Sequence, residues 1–383
     1  MRSGIASCDR RLTIVHTESS TGWGGQEIRI LTEAQGLRRR GHDVSLLAAR
    51  GARIVDEAPR FDVPVTALPI GYKRPAGLRA LADALSRSRP HIVNTHSSTD
   101  SWLAAIASRL LLRARAPVLV RTRHVSVPVS RDPVTRWLYR NAMARTVTTG
   151  EALREYLVRE SGLDPARVDS VPTGIDAAGY AGIDKAHARI QLALPQEVPL
   201  VCIVATLRSW KGHRFLVEAM RHLKREDARL VIVGDGHQRE ALQQQVIALA
   251  LESRVTFAGQ QNDVAPWLRA SDVFALPSYA NEGVPQALLQ AMFAGVPCVT
   301  TDAGAIAEIA RDGDTATVVA KENAIALAAA IDKLLADPAN AAAQASRALA
   351  LVASRYTLET MLDRMESVFR QALAERTISR PPR

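Results

Sequence analysis

Short runs of almost uninterrupted apolar residues recur along the first half of this chain: Leu12 to His16, Val44 to Ala48, Ile92 to Thr95, Val118 to Thr122 and Thr146 to Thr148, with helical periodicity between them. A strand with no polar alternation offers no face to water, so it must be covered on both sides. Parallel sheets flanked by helices do this. The pattern predicts a doubly wound α/β domain. It then repeats: Val201 to Ala205, Leu230 to Val233, Val255 to Phe257, Val273 to Leu276 and Cys298 to Thr300 predict the strands of a second domain beginning near Leu200. A length of 383 residues exceeds one ordinary core, and 47% hydrophobic residues without a low-complexity tract point to a folded protein. The expected fold class is α/β, two doubly wound Rossmann-like domains facing a cleft, with a ligand at the carboxyl ends of both sheets.

The net charge of +10 is unevenly placed. Residues 1–178 carry 27 Lys and Arg against 17 Asp and Glu, whereas the remainder carries 22 of each. A basic half beside a neutral one suggests that one domain meets an anionic surface or acceptor while the other binds a soluble ligand. Nucleic acid is a competing partner, and an Arg-rich solvated surface is a third reading. Two segments of the basic half mix aromatic and basic residues. Trp102 to Arg115 reads as a core-packed helix with a snorkelling basic end, and Thr135 to Arg145, with Arg136, Trp137, Tyr139 and Arg140, reads as the membrane contact. Cys8, Cys202 and Cys298 lack metal-ligand spacing and read as reduced thiols, two of them within strands. The first ten residues are polar and charged, and no apolar stretch is long enough to span a bilayer, so the expected location is cytoplasmic.

Chemistry concentrates where the predicted strands end. After Val273 to Leu276 comes Tyr279-Ala280-Asn281-Glu282-Gly283-Val284-Pro285-Gln286, and apolar periodicity resumes at Ala287, Leu288, Ala291 and Met292. Pro285 suits the first turn of a helix, where its missing N–H costs nothing. Glu282 then lies at a helix mouth, whose free N–H groups and dipole seat anionic or hydroxyl-rich ligands while the carboxylate holds sugar hydroxyls. After Val201 to Ala205, the loop Arg208-Ser209-Trp210-Lys211-Gly212 presents two cations three residues apart, able to clamp a diphosphate leaving group without a metal. The first strand leads into a loop with Gly24 and Gly25, which lets backbone approach phosphate but matches neither a dinucleotide fingerprint nor a P-loop. His96 and His124 each end a strand, where they can orient a sugar or an acceptor hydroxyl, whereas His16 reads as a packing residue. For Gly234 and Gly236, turn formation alone is a sufficient account.

Together these residues resemble the signature of family 4 of the nucleotide-sugar glycosyltransferases: two glutamates separated by seven residues, then a small-residue helix and a Gly-x-Pro turn. Here Glu282 is followed by Gln290 and by Ala294-Gly295-Val296-Pro297, so glutamine replaces the second acid. The resemblance implies that this position holds the ribose hydroxyls. An amide still accepts from one hydroxyl and donates to another, with weaker binding expected. It also implies a retaining, metal-independent GT-B enzyme like those of lipopolysaccharide and cell-surface glycan assembly, with Glu282, His124, Arg208 and Lys211 catalytic. Gly24 and Gly25 would meet donor phosphate and acceptor, His96 the sugar or acceptor, Gly234 the donor at a Gly-x-Gly step, and Gly259 with Gln260 the base. Gly283, Val284, Pro285 and Gln286 would form the helix mouth on the donor, with Gln290 on the ribose.

The family's organisation would make residues 1–176 an N-terminal acceptor-binding domain, joined by a returning C-terminal helix at 357–376, and residues 177–356 the donor-binding domain. The crossing falls at Val171-Pro172-Thr173-Gly174-Ile175-Asp176, which resembles the family's own segment there. No cofactor is expected beyond a nucleotide-sugar donor, a UDP-sugar. The expected partners are a glycan or glycolipid acceptor and an anionic membrane, met peripherally at the cytoplasmic face of the inner membrane. Nucleic acid is not expected, and the chain is taken as a monomer. A nucleotide-sugar epimerase of the same fold would consume donor without acceptor. A basic nucleic-acid-binding protein would ignore sugar nucleotides, and a non-catalytic sugar-nucleotide binder would show affinity without turnover.

Overall fold

The computed structural model describes residues 11–124, 129–130, 132–180, 182–280 and 282–378, which leaves Cys8 and Asn281 outside the described residues. The chain divides into two compact units. Unit 1 holds the residues up to Pro172, apart from 125–127, and those from Glu359 onward; unit 2 runs from Thr173 to Leu358.

Unit 1 is built on strands β1 (Thr13–Glu18), β2 (Asp43–Ala49), β3 (Val65–Leu68), β4 (Ile92–Thr95), β5 (Val118–Arg123), β6 (Arg145–Thr148) and β7 (Val168–Ser170). They form one parallel sheet of seven in the order β3-β2-β1-β4-β5-β6-β7. The centre is apolar as the runs require: Ile14, Val44, Leu46, Ile92, Val93, Val120 and Val147 are all fully buried. The strands extend beyond the apolar runs at their carboxyl ends, so that His16, Thr17 and Glu18 are buried too. The helix Gly25–Arg39 begins at the end of β1 with Glu27 in its first turn and Arg38 and Arg39 in its last, charges that complement the helix dipole. The helix Ser98–Ile106 begins after β4 with a capping box formed by Ser97 and Asp100. The closing helix Leu358–Ile378 returns to this unit. Its Leu362 lies against Gly36, and Arg40 binds Asp363 at 2.8 Å and Glu366 at 3.0 Å.

Unit 2 carries β8 (Leu200–Val204), β9 (Arg229–Val233), β10 (Val255–Gly259), β11 (Val273–Leu276), β12 (Cys298–Thr300) and β13 (Thr317–Val318), parallel throughout in the order β10-β9-β8-β11-β12-β13. Cys202 and Cys298 are free and fully buried in β8 and β12; burial pushes the Cys202 thiol up to about 12. In both sheets the order reverses beside the first strand, which concentrates loops at the carboxyl ends of β1 and β4 and of β8 and β11.

Three edge strands were invisible to the apolar pattern. β3 has two exposed positions of four, β7 is only Val168-Asp169-Ser170, and β13 is two residues long. Short, half-polar strands are what a sheet edge takes, and they leave no run to read. The sequence also placed Pro285 in the first helical turn, whereas the helix begins at Gln286 with Pro285 as its extended N-cap. Among the described residues, no helix is long and apolar enough to cross a membrane.

Candidate active site

In unit 2 the loop after β8 carries Arg208, a tight turn over Ser209–Lys211, and Gly212, which opens the helix His213–His222. Gly212 has φ +75°, and a Cβ there would stand 2.0 Å from the carbonyl oxygen of Pro277 at the end of β11. Both the backbone conformation and the space exclude a side chain. The two loops are also tied by the Tyr279 N–H, which donates to the Trp210 carbonyl at 2.9 Å. This contact brings the predicted clamp and helix mouth together: Lys211 Nζ lies 2.7 Å from Glu282 Oε1 and 3.0 Å from Oε2. Glu282 is buried, and its own carbonyl accepts from the Ala305 N–H at 3.1 Å, so a third loop fixes it.

The other predicted donor residues of unit 2 stand in varied settings. Arg208 is exposed, its guanidinium 5.1 Å above the Trp210 ring. The Gly234 N–H donates to the Gly259 carbonyl at 2.8 Å, joining the loops after β9 and β10, and Gln260 is exposed. Gly283 is half-buried, while Val284 and Pro285 are buried, Val284 within the core. Gln290 hydrogen-bonds the Tyr180 hydroxyl, which burial and nearby Asp263 hold above its ordinary pKa. Three residues close in sequence to Lys211 and Glu282 have buried polar atoms with no hydrogen-bond partner among the described residues: His213 at both ring nitrogens, Ser278 at Oγ and Gln286 at Oε1. Buried polar groups are rarely left so. Burial, with Lys211 adding to it, pushes His213 down to about 3, so its ring is neutral.

In unit 1 the predicted His96 and His124 sit together with a residue the sequence reading set aside. His16 Nδ1 is 2.9 Å from His96 Nε2, and His96 Nδ1 is 3.0 Å from His124 Nε2. This is a column of three imidazoles at the carboxyl ends of neighbouring strands β1, β4 and β5, in which His16, fully buried as a packing residue would be, also hydrogen-bonds the predicted His96. Burial, together with the charge of Arg29, drives His16 down to about 3 and holds His96 and His124 well below the usual range. Each ring is therefore neutral, with one donor and one acceptor nitrogen, and the column fixes the orientation of His124.

Beside it, Asp100 accepts from Thr17 Oγ1 at 2.6 Å, Ser19 Oγ at 3.1 Å and the His96 N–H at 3.0 Å. Glu18 accepts from the Ser20 N–H at 2.6 Å, Ser97 Oγ at 2.5 Å and Gln26 Nε2 at 2.5 Å. Burial first, then the neighbouring Asp100, pushes Glu18 up to about 8, so this carboxyl holds a proton at neutral pH. The network ties down the loop that carries Gly24, the N-cap of the helix Gly25–Arg39, and Gly25, its first residue. Glu18, Asp100, His16 and Tyr180 were all missed. The available signal was a polar residue at the carboxyl end of an apolar run, or within the turn that follows it.

The chain matches the family model described as glycosyl transferases group 1 over residues 184–350 and that of glycosyltransferase family 4 over residues 23–178. UDP-Gal:alpha-D-GlcNAc-diphosphoundecaprenol alpha-1,3-galactosyltransferase of Escherichia coli is 28% identical over 318 residues, 78% of this chain and 81% of that protein. D-inositol 3-phosphate glycosyltransferase of Mycobacterium tuberculosis is 28% identical over 411 residues, 97% of this chain and 85% of that protein. A crystal structure of a glycosyltransferase from Rickettsia africae superposes with a TM-score of 0.84 at 20% identity, over 95% of this chain and 99% of that one. Two parallel doubly wound sheets, one with a lysine loop locked onto a buried glutamate, are the build of a nucleotide-sugar glycosyltransferase of GT-B fold. The chain belongs to family 4 of these enzymes, its second unit matching the group 1 model and its first the family 4 model.

Proposed function

We propose that this glycosyltransferase moves a hexose from a UDP-sugar to a lipid-linked glycan acceptor, with retention of anomeric configuration and without a metal, at the cytoplasmic face of the inner membrane. The observation that carries the reading is Lys211 held on both oxygens of buried Glu282 at the carboxyl ends of β8 and β11. A donor diphosphate seated there meets Lys211 and Arg208, which take up the charge that develops as the bond from sugar C1 to phosphate oxygen breaks. Glu282 and the unpartnered atoms of Ser278 and Gln286 hold sugar hydroxyls. The new bond forms between C1 and the acceptor oxygen on the face the diphosphate leaves, and the acceptor proton passes to the departing phosphate oxygen. In unit 1, neutral His124 orients the acceptor hydroxyl by hydrogen bonding, not by charge. The UDP-sugar and the diphospholipid are what the Escherichia coli relative's name specifies for that enzyme.

The test is thermal-shift binding with UDP-, GDP- and ADP-sugars, followed by transfer assays on an undecaprenyl-diphosphate sugar and on inositol phosphate, with the product anomer read by NMR. Only ligands that favour the folded state raise the melting temperature. Stabilisation by UDP-sugars with an α-linked product on the lipid acceptor is expected. Donor consumed without any acceptor would replace this reading with epimerisation.

A further inference from the structure

β5 is buried along its whole length, yet two of its six residues are arginines, Arg121 and Arg123, which are 6% and 8% exposed. Side chains two apart on a strand share a face, so two cations stand side by side with their Cα atoms about 7 Å apart. Tyr139 receives both. The Arg121 guanidinium lies 4.9 Å from the centre of its ring, and Arg123 Nη1 donates to its hydroxyl at 2.8 Å. Tyr139 sits in the π-helical turn Leu138–Ala142 and is buried, which corrects the sequence reading that gave it to a membrane contact.

No carboxylate balances this pair of charges at Arg121. Among the described residues the Arg121 guanidinium makes no hydrogen bond and no ion pair, and its Nε is buried without a partner. The residues registered beside the two arginines on β4 and β6 are Thr95, Thr146 and Thr148, hydroxyls and not acids. Asp100, the acid whose charge Arg121 feels, is engaged by Thr17, Ser19 and the His96 N–H. Burial, with the charge of Arg123 adding to it, disfavours the Arg121 cation, and a buried cation without an acid is costly. A bound anion removes that cost, and the guanidinium fork fits the oxygens of phosphate in pairs. Two cations call for two negative charges, which a phosphate monoester carries near neutral pH and a single carboxylate does not.

We propose that Arg121 and Arg123, set on Tyr139 at the carboxyl end of β5, bind the phosphoryl group of the acceptor and so select phosphorylated acceptors over neutral sugars. Arg123 closes β5 and His124 follows it, which puts the anion site beside the histidine column. An acceptor whose sugar is joined directly to phosphate carries its anion one ring away from its hydroxyls. The proposal rests on the transfer reading for what the anion belongs to, whereas the site itself is read from burial and charge. It is separate from the donor diphosphate, which Lys211 and Arg208 meet in unit 2.

The test is equilibrium binding to the full chain with UDP in excess, so that Lys211 and Arg208 do not capture the probes. Wild type should bind inositol phosphate and a short-chain prenyl-diphosphate sugar about tenfold or more tightly than inositol and the matching methyl glycoside. The tighter of the two phosphorylated probes shows whether the anion comes from a soluble phosphate or a lipid diphosphate. Arg121→Met, of similar size, should melt no lower than wild type without ligand, since the cation it removes has no acid to lose, and should bind phosphorylated and neutral probes alike. Arg123→Lys, which keeps the charge and loses the fork, should reduce the preference several-fold. Wild type without the preference, variants that keep it, or Arg121→Met melting well below wild type, as for an arginine that only holds the fold, would each overturn the proposal. Binding is read without turnover, so failure of the proposed transfer and failure of this site are told apart.

Discussion

Replacing Lys211 by methionine perturbs two things whose sizes can be separated. Its Nζ holds both oxygens of Glu282 at 2.7 and 3.0 Å, and the two side chains are 20% and 5% exposed. Removing one partner of a fully buried pair costs about 3–5 kcal/mol, and the opening of Lys211 to water lowers the expected loss to about 2 kcal/mol. For a unit of this size that is a fall in melting temperature of about 4–8 °C. If the ammonium also takes up charge on the departing diphosphate, transition-state stabilisation falls by about 3–4 kcal/mol, or about 10²–10³-fold in kcat. The pair with Glu282 means that the effects on turnover and on folding must both be measured. Adding Glu282→Gln separates them, because exchanging both charges for neutral groups of similar volume restores most of the stability and none of the leaving-group stabilisation. Melting curves and steady-state kinetics on both variants decide the matter. A double variant that regains turnover along with stability, or a single variant with wild-type kcat, would refute the clamp.

Gln290→Glu places a carboxylate where Tyr180 now bonds an amide, and charged hydrogen bonds to hydroxyls are roughly 1 kcal/mol stronger than neutral ones. Donor KM should fall about fivefold to tenfold with kcat unchanged, read from initial rates. Glu18 has its pKa raised to about 8 in the folded chain, so its contribution to stability is present at low pH and is lost as pH rises from about 4.5 to about 8, by at most about 1.4 kcal/mol per pH unit. Glu18→Gln should abolish that slope in urea unfolding measured across the window, with the Gln26 amide turned over to suit the new group; a slope identical to wild type would place the proton elsewhere. His16 and His213, both lowered to about 3, work in the opposite sense: they are neutral when folded, and stability is lost as pH falls from about 6.5 toward 3. His16→Asn should flatten this acid limb and, by loosening the column under His124, raise acceptor KM.

The legible part of this protein was whatever local patterning controls. Apolar runs placed the central strands because a strand buried on both faces has to be apolar, and Pro285 marked the helix start to within one residue because its missing N–H costs nothing there. The sequence could not say that Lys211 would land on Glu282, since that depends on how the end of β8 meets the end of β11, a neighbour chosen by sheet order and not by sequence distance. The same reason hid the histidine column, whose members stand 80 and 28 positions apart and meet only because β1, β4 and β5 are adjacent.

Leu110 and Leu111 escaped for a different reason. Amphipathic periodicity reports that a helix has an apolar face, but not whether the chain supplies anything to cover it; among the described residues Trp102 meets Trp137 and the Lys73 ammonium, whereas Leu110 and Leu111 are left exposed. The more diagnostic signal was at the strand ends. His16, Glu18, His96 and His124 are polar groups placed at or just beyond the ends of apolar strands, and they are kept neutral at pH 7 by burial. A core gains nothing from such residues, and a turn does not need them. What they leave at the carboxyl ends of β1, β4 and β5 is a set of directed hydrogen-bonding groups without charge.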